Sequence, residues 1–257
     1  MSIKVFIGSG EASLVERKVL IYSLRKHTQS ELDIYVLNGT HNAIEINDQE
    51  PILAPMSLKL KYRNVTEFSL YRYLIPKICN YRGKAIYLDS DTICLTDIAE
   101  LFETDLGIHH FIAKREYGGD WGLSVMLIDC EKCYFDLIRY FFEIDKGRYT
   151  YTDFNRMSQA FLKYHPFAIA ELDPNWNAFD FYNSKTKLIH YTNLFTQPWK
   201  AYNHPFGELW FEYFYEALEA GILTEQEIEL SILRSYIRPD IREGNFPRKS
   251  LLSRIIR

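Results

Sequence analysis

Long apolar runs are missing. No stretch reaches the ~20 apolar residues that a bilayer-crossing helix needs, so a membrane-spanning protein is not expected. Met1 leads straight into Ile3-Lys4-Val5-Phe6-Ile7, too short and too soon interrupted for a signal peptide, and a cytoplasmic location is expected. Cysteine is sparse: Cys79, Cys94, Cys130 and Cys133 are the whole supply, which suits reduced core thiols rather than a disulfide framework. Cys130 and Cys133 have the spacing of a redox pair or half a zinc site, but no second Cys/His pair matches it. Basic residues are not in excess. Lys and Arg total 30 against 34 Asp and Glu, a net charge of −4, so the bulk surface is not built for nucleic acid. Internal repeats and low-complexity segments are also absent.

What is present is 257 residues of ordinary apolar content, rich in Tyr and Phe. That is enough for one large domain or two small ones with a sizeable core. Ile3 to Ile7 reads as a first strand, Gly8-Ser9-Gly10 as a turn, and Ser13 to Lys26 as a helix, with Ser13-x-x-Glu16 at capping-box spacing. Asp33 to Leu37 reads as a second strand. Strand, helix, strand predicts an α/β fold with a mostly parallel central sheet. Residues 40–66 suit a loop region, and Glu67 to Asn80 a helix kinked or ended at Pro76. Helices are predicted for Glu131 to Ile144 and for Asp153 to Lys163, with Asp153 at the N-cap. A strand is predicted for Lys187 to Tyr191, and then a helical C-terminal part. Glu208 to Ala220 stops at Gly221, and Thr224-x-x-Glu227 opens a last helix that ends before Pro239. Residues 1–233 are read as the domain and 234–257 as a basic, apolar tail. Arg248, Lys249, Arg254 and Arg257 interleave there with Leu251, Leu252, Ile255 and Ile256. Such a segment suits an anionic membrane surface, and a solvated terminus is the other reading.

The chemistry gathers at Ala85-Ile86-Tyr87-Leu88-Asp89-Ser90-Asp91-Thr92. An apolar strand ends abruptly in two carboxylates. Side chains two apart on an extended chain point the same way, so Asp89 and Asp91 can face one point with Ser90 turned aside. Two such carboxylates repel unless a cation lies between them, and their hard oxygens suit Mn²⁺ or Mg²⁺. Arg72 precedes the pair on a helical segment and can hold a phosphate or sugar hydroxyl. His190, at a strand end, is a candidate third ligand.

Taken together, the N-terminal strand, Tyr71-Arg72, Tyr87-Leu88-Asp89-Ser90-Asp91, His190-Tyr191 and Pro198-Trp199 resemble the family-8 glycosyltransferases, the group of glycogenin and the bacterial lipopolysaccharide galactosyltransferases. The resemblance runs from about Ile3 to Lys200. It implies a single-domain GT-A fold and a Mn²⁺ (or Mg²⁺) held by Asp89, Asp91 and His190. It also implies a UDP-hexose donor and a glycan or glycolipid acceptor, with retention at the anomeric carbon. Arg72 matches the arginine on donor sugar and phosphate, Ile7 and Gly8 the strand edge under the uridine, and Val65 a position packed on the base. Ser90 falls within the donor-binding stretch. Asp153 matches an acidic residue facing the transferred sugar, which makes Asp153 and Arg72 the catalytic candidates. The tail resembles a membrane-docking tail, which implies a peripheral place on the inner face of the membrane.

Two departures stand out. Gly122-Leu123-Ser124 replaces the family's Asn-Ala-Gly, removing a sugar-contacting Asn. After the histidine, Asn193 and Gln197 hold the places nearest to a Gly and a phosphate-binding Lys, and Lys200 offers a cation beyond Trp199. A second reading is therefore a catalytically weak nucleotide-sugar- or carbohydrate-binding module of the same fold. The Asp-x-Asp-Thr string also resembles the haloacid-dehalogenase phosphatases, but those place the aspartate near the domain start with a Gly before the Thr.

Overall fold

The computed structural model describes residues 2–46, 51–53 and 66–245. In chain order, β1 (Ile3–Ser9), α1 (Leu14–His27), β2 (Leu32–Asn38), β3 (Ala43–Ile46) and β4 (Ile52–Leu53) come first. Then follow α2 (Ile75–Ile78), β5 (Lys84–Asp89), β6 (Thr92–Cys94), α3 (Ala99–Phe102), β7 (Phe111–Arg115) and β8 (Trp121–Asp129). The rest is α4 (Leu137–Asp145), α5 (Tyr151–Asn155), α6 (Gln159–Leu162), β9 (Ile169–Glu171), β10 (Ala178–Phe179), β11 (Leu188–His190), α7 (Gly207–Glu219) and α8 (Glu225–Leu233).

An eight-stranded sheet runs β4-β3-β2-β1-β5-β8-β7-β9, and β10-β11-β6 form a small second sheet. β1 pairs parallel with β2 and β5, and β7 with β9, while the remaining neighbours pair antiparallel. Only β3 and β8 are thereby reversed, so the large sheet is mostly parallel as expected. The pleat sends alternate residues to opposite faces. Phe6 and Tyr87 join a core with Tyr71, Trp121, Phe154 and Phe161 on one side. Val5, Ile7, Ile86 and Leu88 join a core with Leu20 and Leu24 of α1 on the other. A third cluster forms around Trp199, Trp210 and Phe214 where α7 packs.

Several boundaries differ from the sequence reading, each for a local reason. Ser13 makes no side-chain cap, because a 3-10 turn (Glu11–Ser13) runs into α1 and holds Ser13 at φ −105°, ψ 23°, outside the extended region a capping residue needs. Thr224, in extended backbone, does form its box with Glu227. Pro76 sits in the first turn of α2, where its missing N–H is harmless, after a 3-10 turn at Tyr71–Leu74. α4 begins only at Leu137, capped by Asp136. Asp153 is not an N-cap: Thr150 caps α5, and Asp153 closes the box from the third position. The helix predicted through Lys163 breaks at Met157, whose φ is +45°. β3 and β4 occupy part of the expected 40–66 loop. α7 ends before Gly221, at φ +70°, as predicted.

From Arg234 on, residues to Asn245 are described. Ile237 and Ile241 are buried in the third cluster, and Arg238 pairs with Asp240 at 3.0 Å. The basic and apolar residues from Arg248 to Arg257 lie outside the described residues, as does Val65. Among the described residues, no helix is long and apolar enough to cross a membrane.

Candidate metal and donor site

The site is assembled by backbone pairing. β5 lies beside β1 with Asp89 opposite Gly8, and the Ser90 N–H donates to the Gly8 carbonyl at 3.2 Å. The chain then turns into β6, which pairs antiparallel with β11, Thr92 opposite His190. The Tyr191 N–H donates to the Asp91 carbonyl at 2.9 Å. Two segments about a hundred residues apart in sequence are thus stapled at one corner of the sheet.

There the candidate ligand atoms of Asp89, Asp91 and His190 all lie within 4.8 Å of one another, with His190 Nε2 2.9 Å from Asp91 Oδ1. The imidazole is buried and aimed by a residue that the sequence reading left without a role. His190 Nδ1 lies 3.0 Å from Asn177 Oδ1, and Asn177 Nδ2 donates to Ser124 Oγ at 2.9 Å. The amide thus turns its Oδ1 toward the ring. Nδ1 then carries a proton to donate, and Nε2 is the atom left for a cation. Ser124, which stands in the altered Gly122-Leu123-Ser124 stretch, therefore supports the histidine from beneath.

Asp89 is held from the other side. Tyr87, two residues earlier on the same face, donates its hydroxyl to Asp89 Oδ1 at 2.6 Å. Arg72 Nη2 lies 3.7 Å from the same oxygen. Its guanidinium stacks 4.6 Å over the Tyr87 ring, and it donates to the carbonyls of Ser69 (2.8 Å) and Leu123. Gly8 makes this possible. A Cβ there would lie 2.1 Å from the Tyr87 hydroxyl and 2.6 Å from Phe68, so only glycine leaves room for the ring that orients Asp89.

The electrostatics mark a site short of positive charge. Burial pushes the Asp89 carboxyl above the ordinary range, with Arg72 opposing and Asp91 adding to the rise. Burial would lower His190, but the carboxylates of Asp91 and Asp89 outweigh it and raise the imidazole. Two carboxylates and an imidazole this close form a donor set that fits Mn²⁺ or Mg²⁺.

The other predicted donor residues fall as follows. Ile7 and Gly8 are buried at the β1 end, and Ser90 is buried in the turn. Gln197 is buried and donates to Asp91 Oδ2 (3.3 Å) and the Tyr191 carbonyl (2.9 Å), which makes it a neutral holder of the second aspartate. Asn193 is exposed; its side chain accepts from the Phe195 N–H within its own loop, and its N–H donates to Asp180 across β11. Lys200 is exposed, and its charge partly offsets the burial that raises the Glu16 carboxyl to about 7. Asp153 uses its carboxylate on Thr150 and Ser158. α5, which carries it, adjoins the end of β8 through the Trp121 N–H bond to the Arg156 carbonyl at 2.9 Å.

This is the fold of GT-A glycosyltransferases, with an acidic pair after the C-terminal end of a central strand and a histidine brought to it by the small second sheet. Residues 5–181 match the sequence profile of glycosyl transferase family 8, and the chain belongs to that family. It is 34% identical over 87 residues to glycosyltransferase GlyE of Streptococcus pneumoniae serotype 4, a match of 33% of this chain and 21% of that protein. The crystal structure of GlyE from S. pneumoniae superposes with a TM-score of 0.60 at 20% identity, over 93% of this chain and 65% of that one. The galactosyltransferase LgtC, solved with donor and acceptor sugar analogues, gives 0.62 at 15%, over 89% of this chain and 100% of that one. The bifunctional glycosyltransferase WbbM gives 0.61 at 15%, over 89% and 51%. The chain thus spans a fifth of the curated GlyE sequence and about half of the WbbM chain.

Proposed function

We propose that this protein transfers a hexose from a nucleotide-sugar, UDP-glucose or UDP-galactose, to a glycan or glycolipid acceptor, with retention at the anomeric carbon and dependence on Mn²⁺ or Mg²⁺. The convergence of Asp89, Asp91 and His190 carries this reading. When bound, a divalent ion supplies positive charge against the charge that grows on the departing diphosphate. The chain's own residues do the rest. Asp89 and Asp91 present two carboxylate oxygens, oriented by Tyr87 and Gln197. His190 presents Nε2, oriented by Asn177. Arg72 already spends one edge of its guanidinium on main-chain carbonyls, and its charge near Asp89 is assigned to the donor's sugar and phosphate. Ile7, Gly8, Val65 and Ser90 are assigned to the nucleotide, Asn193, Gln197 and Lys200 to the diphosphate side, and Asp153 to the transferred sugar.

The test is release of UDP from UDP-glucose and UDP-galactose, with and without Mn²⁺ and across an acceptor panel. Metal-dependent turnover that disappears in Asp89→Asn and Asp91→Asn supports the reading, and full activity in both variants contradicts it. Gln197 in place of a phosphate-binding lysine favours the second reading, a weakly catalytic sugar-nucleotide-binding module. Calorimetry that finds UDP and Mn²⁺ binding without transfer would select it. The membrane proposal for the tail is separate. Anionic vesicles are expected to retain the full chain and not a chain ending at Asn245, and equal retention of both would overturn it.

A further inference from the structure

Behind the donor strand, on the α1 side of the sheet, lies a cleft of about 340 Å³ between α1, the β2–β3 edge and the turn after α7. At ~30 Å³ of liquid per water molecule, it has room for a small organic molecule. Its floor is apolar, from Ile21, Ile34, Val36 and Ile222. Its polar wall is cationic: Arg17, Lys18 and Arg25 against a single acid, Glu45.

Arg17 is the unusual member. Its side chain is only 8% exposed, and a buried charge is ordinarily paired and hydrogen-bonded. Here the guanidinium makes one hydrogen bond among the described residues, Nη1 to Ser9 Oγ at 3.3 Å. Its carboxylate neighbour, Glu45, is 3.9 Å away, too far for a hydrogen bond, and Glu45 accepts instead from Asn38 Nδ2 at 2.7 Å. Among the described residues, four of its five N–H donors therefore have no protein acceptor, and the nitrogens without one still reach solvent. Lys18 is neutralised by Glu227 at 2.7 Å. Arg25 has no ion pair among the described residues. With Lys18 and Glu227 cancelled, the wall keeps Arg17 and Arg25 against Glu45, an excess of one positive charge.

The geometry points to a second ligand site, distinct from the Asp89–Asp91–His190 corner: the Arg17 cleft binds a small molecule that carries one oxyanion group, phosphate or carboxylate, on an apolar body. The planar fork of Arg17 matches either headgroup bidentately, Arg25 adds charge at the mouth, and the isoleucine floor takes the apolar part. Arg17 also touches Ser9, the residue after Gly8, so an occupant would lie one side chain from the donor strand. This inference does not depend on the donor reading.

The probes are phenyl phosphate and benzoate. Each is titrated by calorimetry and thermal shift into the full chain in EDTA, with sodium chloride and benzyl alcohol at matched concentration as controls. Saturable binding of either probe, absent with the controls, is expected, and the one that binds names the headgroup. Affinity should fall about tenfold or more in Arg17→Gln, the loss expected for a charge-assisted hydrogen bond. It should fall several-fold in Arg25→Glu and stay unchanged in Asp89→Asn. If Arg17→Gln fails to fold, Arg25→Glu and the cleft-filling Ile222→Trp carry the test. No binding beyond the controls, undiminished binding in Arg25→Glu and Ile222→Trp, or binding lost in Asp89→Asn overturns the assignment.

Discussion

At the scale of single residues, the site depends on contacts that lie one step behind the candidate ligands. Asn177 is not one of the three candidate ligands, yet its amide orients the His190 ring. Asn177→Ala removes that bond and leaves Ser124 without its partner. Mn²⁺ affinity measured by calorimetry should fall about 10–100-fold, the usual loss when a ligand's hydrogen-bond partner is removed, while far-ultraviolet circular dichroism stays native. Gly8→Ala should be worse than its size suggests. The added methyl would meet the Tyr87 hydroxyl at 2.1 Å, and overpacking of this kind costs about 1–3 kcal/mol. A lowered melting temperature together with weakened Mn²⁺ binding is expected, and a melting temperature equal to wild type would contradict it. Asp89 and Asp91 converge as the sequence reading expects, but by a different route: β5 ends at Asp89, and Ser90 and Asp91 form the turn into β6. The Tyr87 contact does follow strand alternation, a local rule, and could have been read from Tyr87-x-Asp89. Asn177 could not: it reaches His190 only through the pairing of β10 with β11, which no spacing announces.

At the scale of elements, capping shows why identical spacing can have different outcomes. Ser13-x-x-Glu16 and Thr224-x-x-Glu227 look alike in the sequence, but the backbone entering α1 is already turning while that entering α8 is extended. The far edge of the molecule is held by another device that sequence reading missed, because its parts come from three separate segments. Glu143 of α4 accepts from His165 Nε2 at 2.5 Å, Arg148 Nη1 at 2.7 Å, Tyr149 Oη at 3.1 Å and Arg139 Nε at 3.2 Å. Burial alone would raise this carboxyl. The contacts from His165, Arg139 and Tyr149 win and bring it from its ordinary 4.5 down to about 2. A carboxyl with a depressed folded value stabilises the fold above its unfolded value and loses that contribution as pH falls through the folded one. Denaturant unfolding of the wild type should therefore weaken progressively between about pH 4.5 and 2. In Glu143→Gln the protein should be less stable at neutral pH and its stability should vary less across that window. An unchanged pH profile in the variant would remove Glu143 from the account.

At the scale of the whole molecule, the α/β class and the mostly parallel sheet could be anticipated because buried parallel strands carry near-continuous apolar runs, as Ala85–Leu88 does and as Ile3–Ile7 does apart from Lys4. The reversed strand β8, the short edge strands and the broken helix at Met157 could not, since tertiary pairing decides them. The meeting of His190 with the aspartates belongs to this scale as well: it exists only because β11 lies against β6. The most direct measurement is therefore titration of the full chain with Mn²⁺, followed by loss of the free-ion electron paramagnetic resonance signal. Wild type should bind one ion at a site abolished in Asp91→Asn and strongly weakened in His190→Ala. The same stoichiometry and affinity in all three proteins would show that these residues do not share a cation.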